Sequence, residues 1–146
     1  MTSLVFRALD EHVVAGLADH PAIEDDRGRL SYAQLLHESA SLAGALTNLG
    51  VDELAIDLPD GRERVIAVLA CARLGVLPRG AATNRLGGTP PVLRMPDTAV
   101  PWAVLVQTGR IDPAPAPARD PEGYEALIRE EYDELFSTLL AGDTLT

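Results

Sequence analysis

Few residues in this chain have the type and spacing to do chemistry, and most of those stand alone. The single cysteine, Cys71, sits among Val68, Leu69 and Ala72 in an apolar run. A buried, inert thiol is expected there, because a reactive one needs an electropositive and partly open setting. His12, His20 and His37 are scattered, and no metal-ligand spacing joins them. A more pointed group is Asp57 with Thr83, Asn84, Thr108, Gly109 and Arg110. Asp57 closes a short apolar strand, and open α/β sheets bind ligands beyond the carboxyl ends of their strands. If Thr83, Asn84 and the Thr108–Arg110 turn follow other strands of the same sheet, all six share one edge and form a polar pocket for a small ligand. On the alternative reading Asp57 simply points outward or caps the next turn.

Charge narrows the chemistry further. All twelve basic residues are arginine, against 22 acidic ones, for a net charge of −10. An acidic chain is a poor partner for a nucleic-acid backbone. Without lysine, no side-chain ammonium group is present to act as a nucleophile or to hold a phosphate. No apolar stretch approaches the ~20 residues that a membrane span needs, and no secretory leader is recognisable. A cytoplasmic protein is expected, with no metal, no cofactor, no nucleic-acid partner and no membrane contact.

The elements that would position these residues can be read in order. Ser3 can cap a first helix over residues 3–18, with Leu4, Val5, Leu9, Val13 and Leu17 at helical spacing. Ala22–Glu24 and Arg29–Leu30 form a short hairpin around Asp25–Gly28. Ser31 and Gln34 make a capping box for a helix with an apolar face of Leu35, Leu36, Leu42, Ala43, Leu46 and Leu49, ended by Gly50. Leu54–Leu58 reads as a strand, and Asp60 as the cap of a second helix that ends at Gly75. Val76–Pro78 resumes extended structure. Residues 80–101 read mostly as loop, and Trp102–Val106 as a central strand buried on both faces. Residues 112–120 read as a Pro/Ala-rich linker. A helix of about twenty residues follows from Pro121, with an apolar stripe of Tyr124, Leu127, Ile128, Tyr132, Leu135, Phe136 and Leu139. That stripe must be covered by the domain's own sheet, a sister subunit or another protein. A homodimer or a protein partner held through this helix is expected.

The ordered landmarks Ser31-Tyr32 to Leu35, Leu49-Gly50-Val51, Leu58-Pro59 and Val65 to Gly75 resemble the N-terminal portion of the adenylate-forming (AMP-binding) superfamily. Its members are the acyl-CoA synthetases, peptide-synthetase adenylation domains and luciferases. The resemblance spans roughly residues 4–84. It implies a small three-layer α/β domain over residues 1–111, with a mostly parallel sheet flanked by helices, then the linker 112–120 and a C-terminal amphipathic helix in 121–146. The family continues with a Thr/Ser/Gly-rich phosphate loop and a catalytic lysine. Here the only echo is Val106–Arg110, and Asp112-Pro113 stands where proline-lysine would follow. No catalytic residue is assigned. The resemblance implies a non-catalytic interaction or accessory protein. The alternatives are a module binding an acyl, carboxylate or nucleotide ligand, or one half of a split adenylating ligase completed by a partner chain.

Overall fold

The computed structural model describes residues 2–146. The first helix forms over residues 4–17, but with two wide π-helical turns, Phe6–Asp10 and Val13–Leu17. Ser3 caps it as expected, its hydroxyl accepting from the Phe6 amide at 3.4 Å. Asp120, far along the chain, adds a second cap by accepting from the Leu4 amide at 2.8 Å.

Strands β1 (Pro21–Asp25) and β2 (Gly28–Ser31) form the antiparallel hairpin, with Asp25 opposite Gly28 across the turn. Helix α1 (Tyr32–Asn48) starts at the capping box: the Ser31 hydroxyl accepts from the Gln34 amide, and the Gln34 side chain accepts from the Ser31 amide. Strand β3 (Ala55–Asp57) leads to helix α2 (Arg62–Leu74), which ends at Gly75 in the left-handed conformation, φ 70°. Asp60 does not cap α2. Gly61 holds the capping position without a side-chain bond, and Asp60 reaches one turn on to Arg64 at 2.5 Å. Val76–Pro78 does not form a strand of its own; only an isolated parallel bridge joins Pro78 to Leu54.

The stretch read as loop holds three short strands, β4 (Arg85–Gly87), β5 (Val92–Arg94) and β6 (Ala99–Pro101). The sheet runs β3-β4-β5-β6. Only β3 and β4 are parallel; the other two pairs are antiparallel. The class is α/β as expected, but the sheet is mixed rather than mostly parallel. The reason lies in Trp102–Val106, which is not a strand. It belongs to helix α3 (Trp102–Gly109), with Pro101 extended at its N-cap. Leu105, Val106 and Gly109 are buried and Val104 is exposed, so one face is covered rather than two. A short unbroken apolar run carries no periodicity to separate a buried strand from a helix.

Helix α4 (Tyr124–Leu140) completes the fold, with a local kink at Tyr132. Its stripe is covered by the chain itself. Tyr124, Ile128, Tyr132, Phe136 and Leu139 share one core with Leu4 and Leu9 of the first helix, Tyr32, Leu35 and Leu46 of α1 and Leu69 of α2. The segment 112–120 is tied down as well: Ala114 donates to the Ala40 carbonyl, and the Asp112 carbonyl lies directly over Gly44. The C-terminal helix therefore packs within the same core as the N-terminal half. A buried ion pair adds to this core. Arg73 of α2, its side chain 1% exposed, reaches Asp10 at 2.7 Å.

Candidate functional site

The polar edge expected around Asp57 does not form as a pocket. Thr83 and Asn84 are spent on the chain's own turn. The Thr83 amide and hydroxyl both donate to the Glu53 carboxylate, and the Asn84 side-chain amide donates to the Glu53 carbonyl. The Thr83 bonds hold the Glu53 carboxyl below its ordinary range. Thr108, Gly109 and Arg110 follow no strand, because α3 stands in its place. Arg110 points to Glu38 at 3.5 Å, and Gly109 packs against α1. Asp57 itself is exposed, and its main chain lies close over Gly87 of β4, where a Cβ would stand 2.7 Å from the Asp57 carbonyl oxygen.

The expected interface stripe is corrected in the same way. Tyr124, Ile128, Tyr132, Phe136 and Leu139 are buried inside this chain, Leu135 is half-buried, and only Leu127 is half exposed at 50%. Amphipathicity identifies a face that must be covered but says nothing of what covers it.

The groove that the structure does build lies elsewhere. It has a volume of about 340 Å³ and runs between the hairpin, the start of α2, the middle of α4 and the C-terminal residues. The hairpin contributes Ile23, Glu24 and Asp25; the start of α2 contributes Gly61, Arg62, Arg64 and Val65. Helix α4 presents Glu131, Tyr132, Glu134 and Leu135, and Leu145 with Thr146 closes the end. Arg62 grips Asp25 through two bonds of 2.9 and 2.6 Å. Arg64 lies over the Tyr132 ring at 5.2 Å while paired with Asp60. Next to the groove Arg27 forks onto Glu63 at 2.8 and 2.6 Å. Tyr32, buried behind it, donates to the Asp143 carbonyl, and desolvation pushes its hydroxyl up to about 12. Burial likewise raises the Cys71 thiol to about 12, as suits an inert core cysteine. Both groove arginines are thus paired with carboxylates, Arg62 with Asp25 and Arg64 with the exposed Asp60.

None of this groove was apparent from local spacing. The charged triplet Arg62-Glu63-Arg64 and the lone leucine in the last four residues, Leu145, are its only traces in the sequence.

The Asp25–Arg62 clamp predicts an acid response. The Arg62 hydrogen bonds hold the Asp25 carboxyl at about 2 against an ordinary 3.8. The folded state therefore favours the ionised form, so the clamp's contribution is complete above about pH 4 and fades as pH falls towards 2. Stability curves of the wild type and Asp25→Asn should lie apart at neutral pH, with the wild type higher, and converge in acid. Parallel curves down to pH 2 would show that the clamp does not hold the hairpin to α2.

The sequence profile of the AMP-binding enzyme family matches residues 10–81. The match takes in just under half of the chain. It comprises the end of the first helix, the hairpin, α1, β3 and α2. An acetyl-coenzyme A synthetase of Mycobacterium bovis is 44% identical over 84 residues, covering 51% of this chain and 13% of the relative. That of Streptomyces avermitilis is 41% identical over 81 residues, covering 50% and 12%. Among solved structures, a benzoate CoA ligase from Burkholderia xenovorans LB400 aligns with a TM-score of 0.49 at 22% identity, over 57% of this chain and 18% of the ligase. The chain thus spans about 13% of the length of the curated relatives it matches. Beyond residue 81 lie β4 to β6, α3 and α4: β4 pairs with β3, α3 packs on α1, and α4 packs against the first helix. No helix among the described residues is long and apolar enough to cross a membrane.

Proposed function

We propose that these 146 residues serve an acyl-CoA-synthetase-like protein as scaffold and contact surface, and do not themselves activate a carboxylate. One observation carries this reading: the stretch contains no lysine, and the arginines nearest the groove are tied to carboxylates. Adenylation spreads negative charge over phosphate oxygens in its transition state. That charge is met by preorganised cations and backbone donors. A chain of net charge −10 with its groove arginines already paired offers the opposite field. Its action is by contact with a protein partner or with a second copy of itself. The apolar stripe of α4 is not the contact surface, because the chain's own core occupies it.

The relatives' name makes acetate the first substrate to test. Purified protein with acetate, ATP and magnesium is expected to show no substrate-dependent exchange of pyrophosphate into ATP. Exchange that requires acetate and vanishes without it would overturn the proposal.

A further inference from the structure

After α4 the chain turns at Gly142, φ 75°, and its last residues return to the hairpin. Leu145 lies parallel to Ile23 on the outer edge of β1. Its amide donates to the Ala22 carbonyl and its carbonyl accepts from the Glu24 amide, both at 2.8 Å. The Thr144 hydroxyl donates to the Pro21 carbonyl at 2.6 Å, and Tyr32 donates to the Asp143 carbonyl at 2.6 Å. Apart from the Thr144 hydroxyl, these bonds use only the backbone of the tail. An edge read in this way accepts extended peptide in general and takes its specificity from side-chain pockets and charge.

The charge does not match the segment seated there. The groove carries five acidic side chains against two arginines, and the arginines are paired with Asp25 and Asp60. That leaves Glu24, whose ionic neighbour is the exposed Arg29 at 3.4 Å, and the exposed Glu131 and Glu134. The tail brings no cation to them; its one charged side chain is that of Asp143. It fits by backbone pairing and by Leu145, and it leaves the groove's free carboxylates without a counter-charge.

We infer that the β1 edge and its groove are a docking site for an extended, basic segment of a partner protein carrying an aliphatic residue in the place of Leu145, and that residues 143–146 fill the site until such a segment displaces them. This rests on the contact-based reading above and names the chemistry of the partner.

The test uses the full chain, its Leu145→Asp variant and two labelled peptides, Gly-Lys-Thr-Leu-Lys and Gly-Glu-Thr-Leu-Glu, followed by fluorescence anisotropy at low and high salt. Leu145→Asp sets a carboxylate against the buried Ile23 and should release the tail. Hydrogen exchange at the Glu24 amide reports that release, while unchanged protection in α1 shows that the fold persists. The basic peptide should bind the variant roughly tenfold more tightly than the intact chain, since the competitor is gone. It should also outbind the acidic peptide by roughly tenfold at low salt, with the preference shrinking at high salt. Equal binding to both proteins, equal binding of both peptides, or no binding would overturn the inference. Should Leu145→Asp fail to fold, Leu145→Gly removes the anchoring side chain without burying a charge and loosens the tail, and the same comparisons apply. Peptide results of either sign leave the pyrophosphate-exchange test untouched, so the two readings fail separately.

Discussion

Replacing Phe136 by alanine is expected to lower the stability of the whole chain by about 3–5 kcal/mol, the usual cost of emptying a fully buried aromatic site. Phe136 is 0% exposed and belongs to the same core as Leu35, Leu46 and Leu69 of the segment that matches the family model. A domain of this size has a net stability of only about 5–15 kcal/mol, so the variant sits near the folding threshold. Urea titration should show one transition, moved to lower denaturant with an unchanged slope. Amides of α1 and α4 should lose their exchange protection together. Leu127→Ala, on the same helix but at a half-exposed position, should stay within about 0.5 kcal/mol of wild type. If α4 were an appendage waiting for a partner, Phe136→Ala would leave α1 unaffected and alter only self-association.

Gly109→Ala should cost at least about 3 kcal/mol, at or beyond the top of the range for overpacking. A Cβ at Gly109 would stand 1.7 Å from the Ser41 carbonyl oxygen and 3.2 Å from the Ala45 amide nitrogen. Both are backbone atoms of α1, so no rotamer change relieves the clash, and α3 must move off α1 bodily. Thermal unfolding compared with wild type measures the loss. Near-neutral behaviour would mean that α3 does not lie against α1 as closely as the structure has it. The result also separates two roles for this glycine. A turn glycine at a ligand-binding edge would tolerate alanine with little loss of stability, whereas a glycine at a helix crossing would not.

What the sequence discloses and what it hides divide along physical lines. The Ser31–Gln34 capping box, the Gly75 terminator and the Asp25–Gly28 turn act within a few residues of themselves, and they are legible because their chemistry is local. The family resemblance draws on the same landmarks. Strands β4 to β6 are only three residues each, too short to show alternation, and they exist because of pairing with distant partners. Trp102–Val106 is apolar throughout, so neither period can be read from it. Pro101, which starts α3, was the available sign. The groove combines residues near 23, 62, 132 and 145, four positions that no motif joins. Asp25 reads as a solvated turn residue until α2 brings Arg62 to it.

The central claim of the proposal is that residues 1–146 do not by themselves hold a nucleotide phosphate. Titrating the purified chain with Mg·ATP in a calorimeter tests it most directly. The account predicts no saturable heat at ligand concentrations of about 1 mM, which corresponds to less than about 4 kcal/mol of binding. A saturable isotherm with a micromolar Kd that is lost on replacing Arg62 or Arg64 would contradict it.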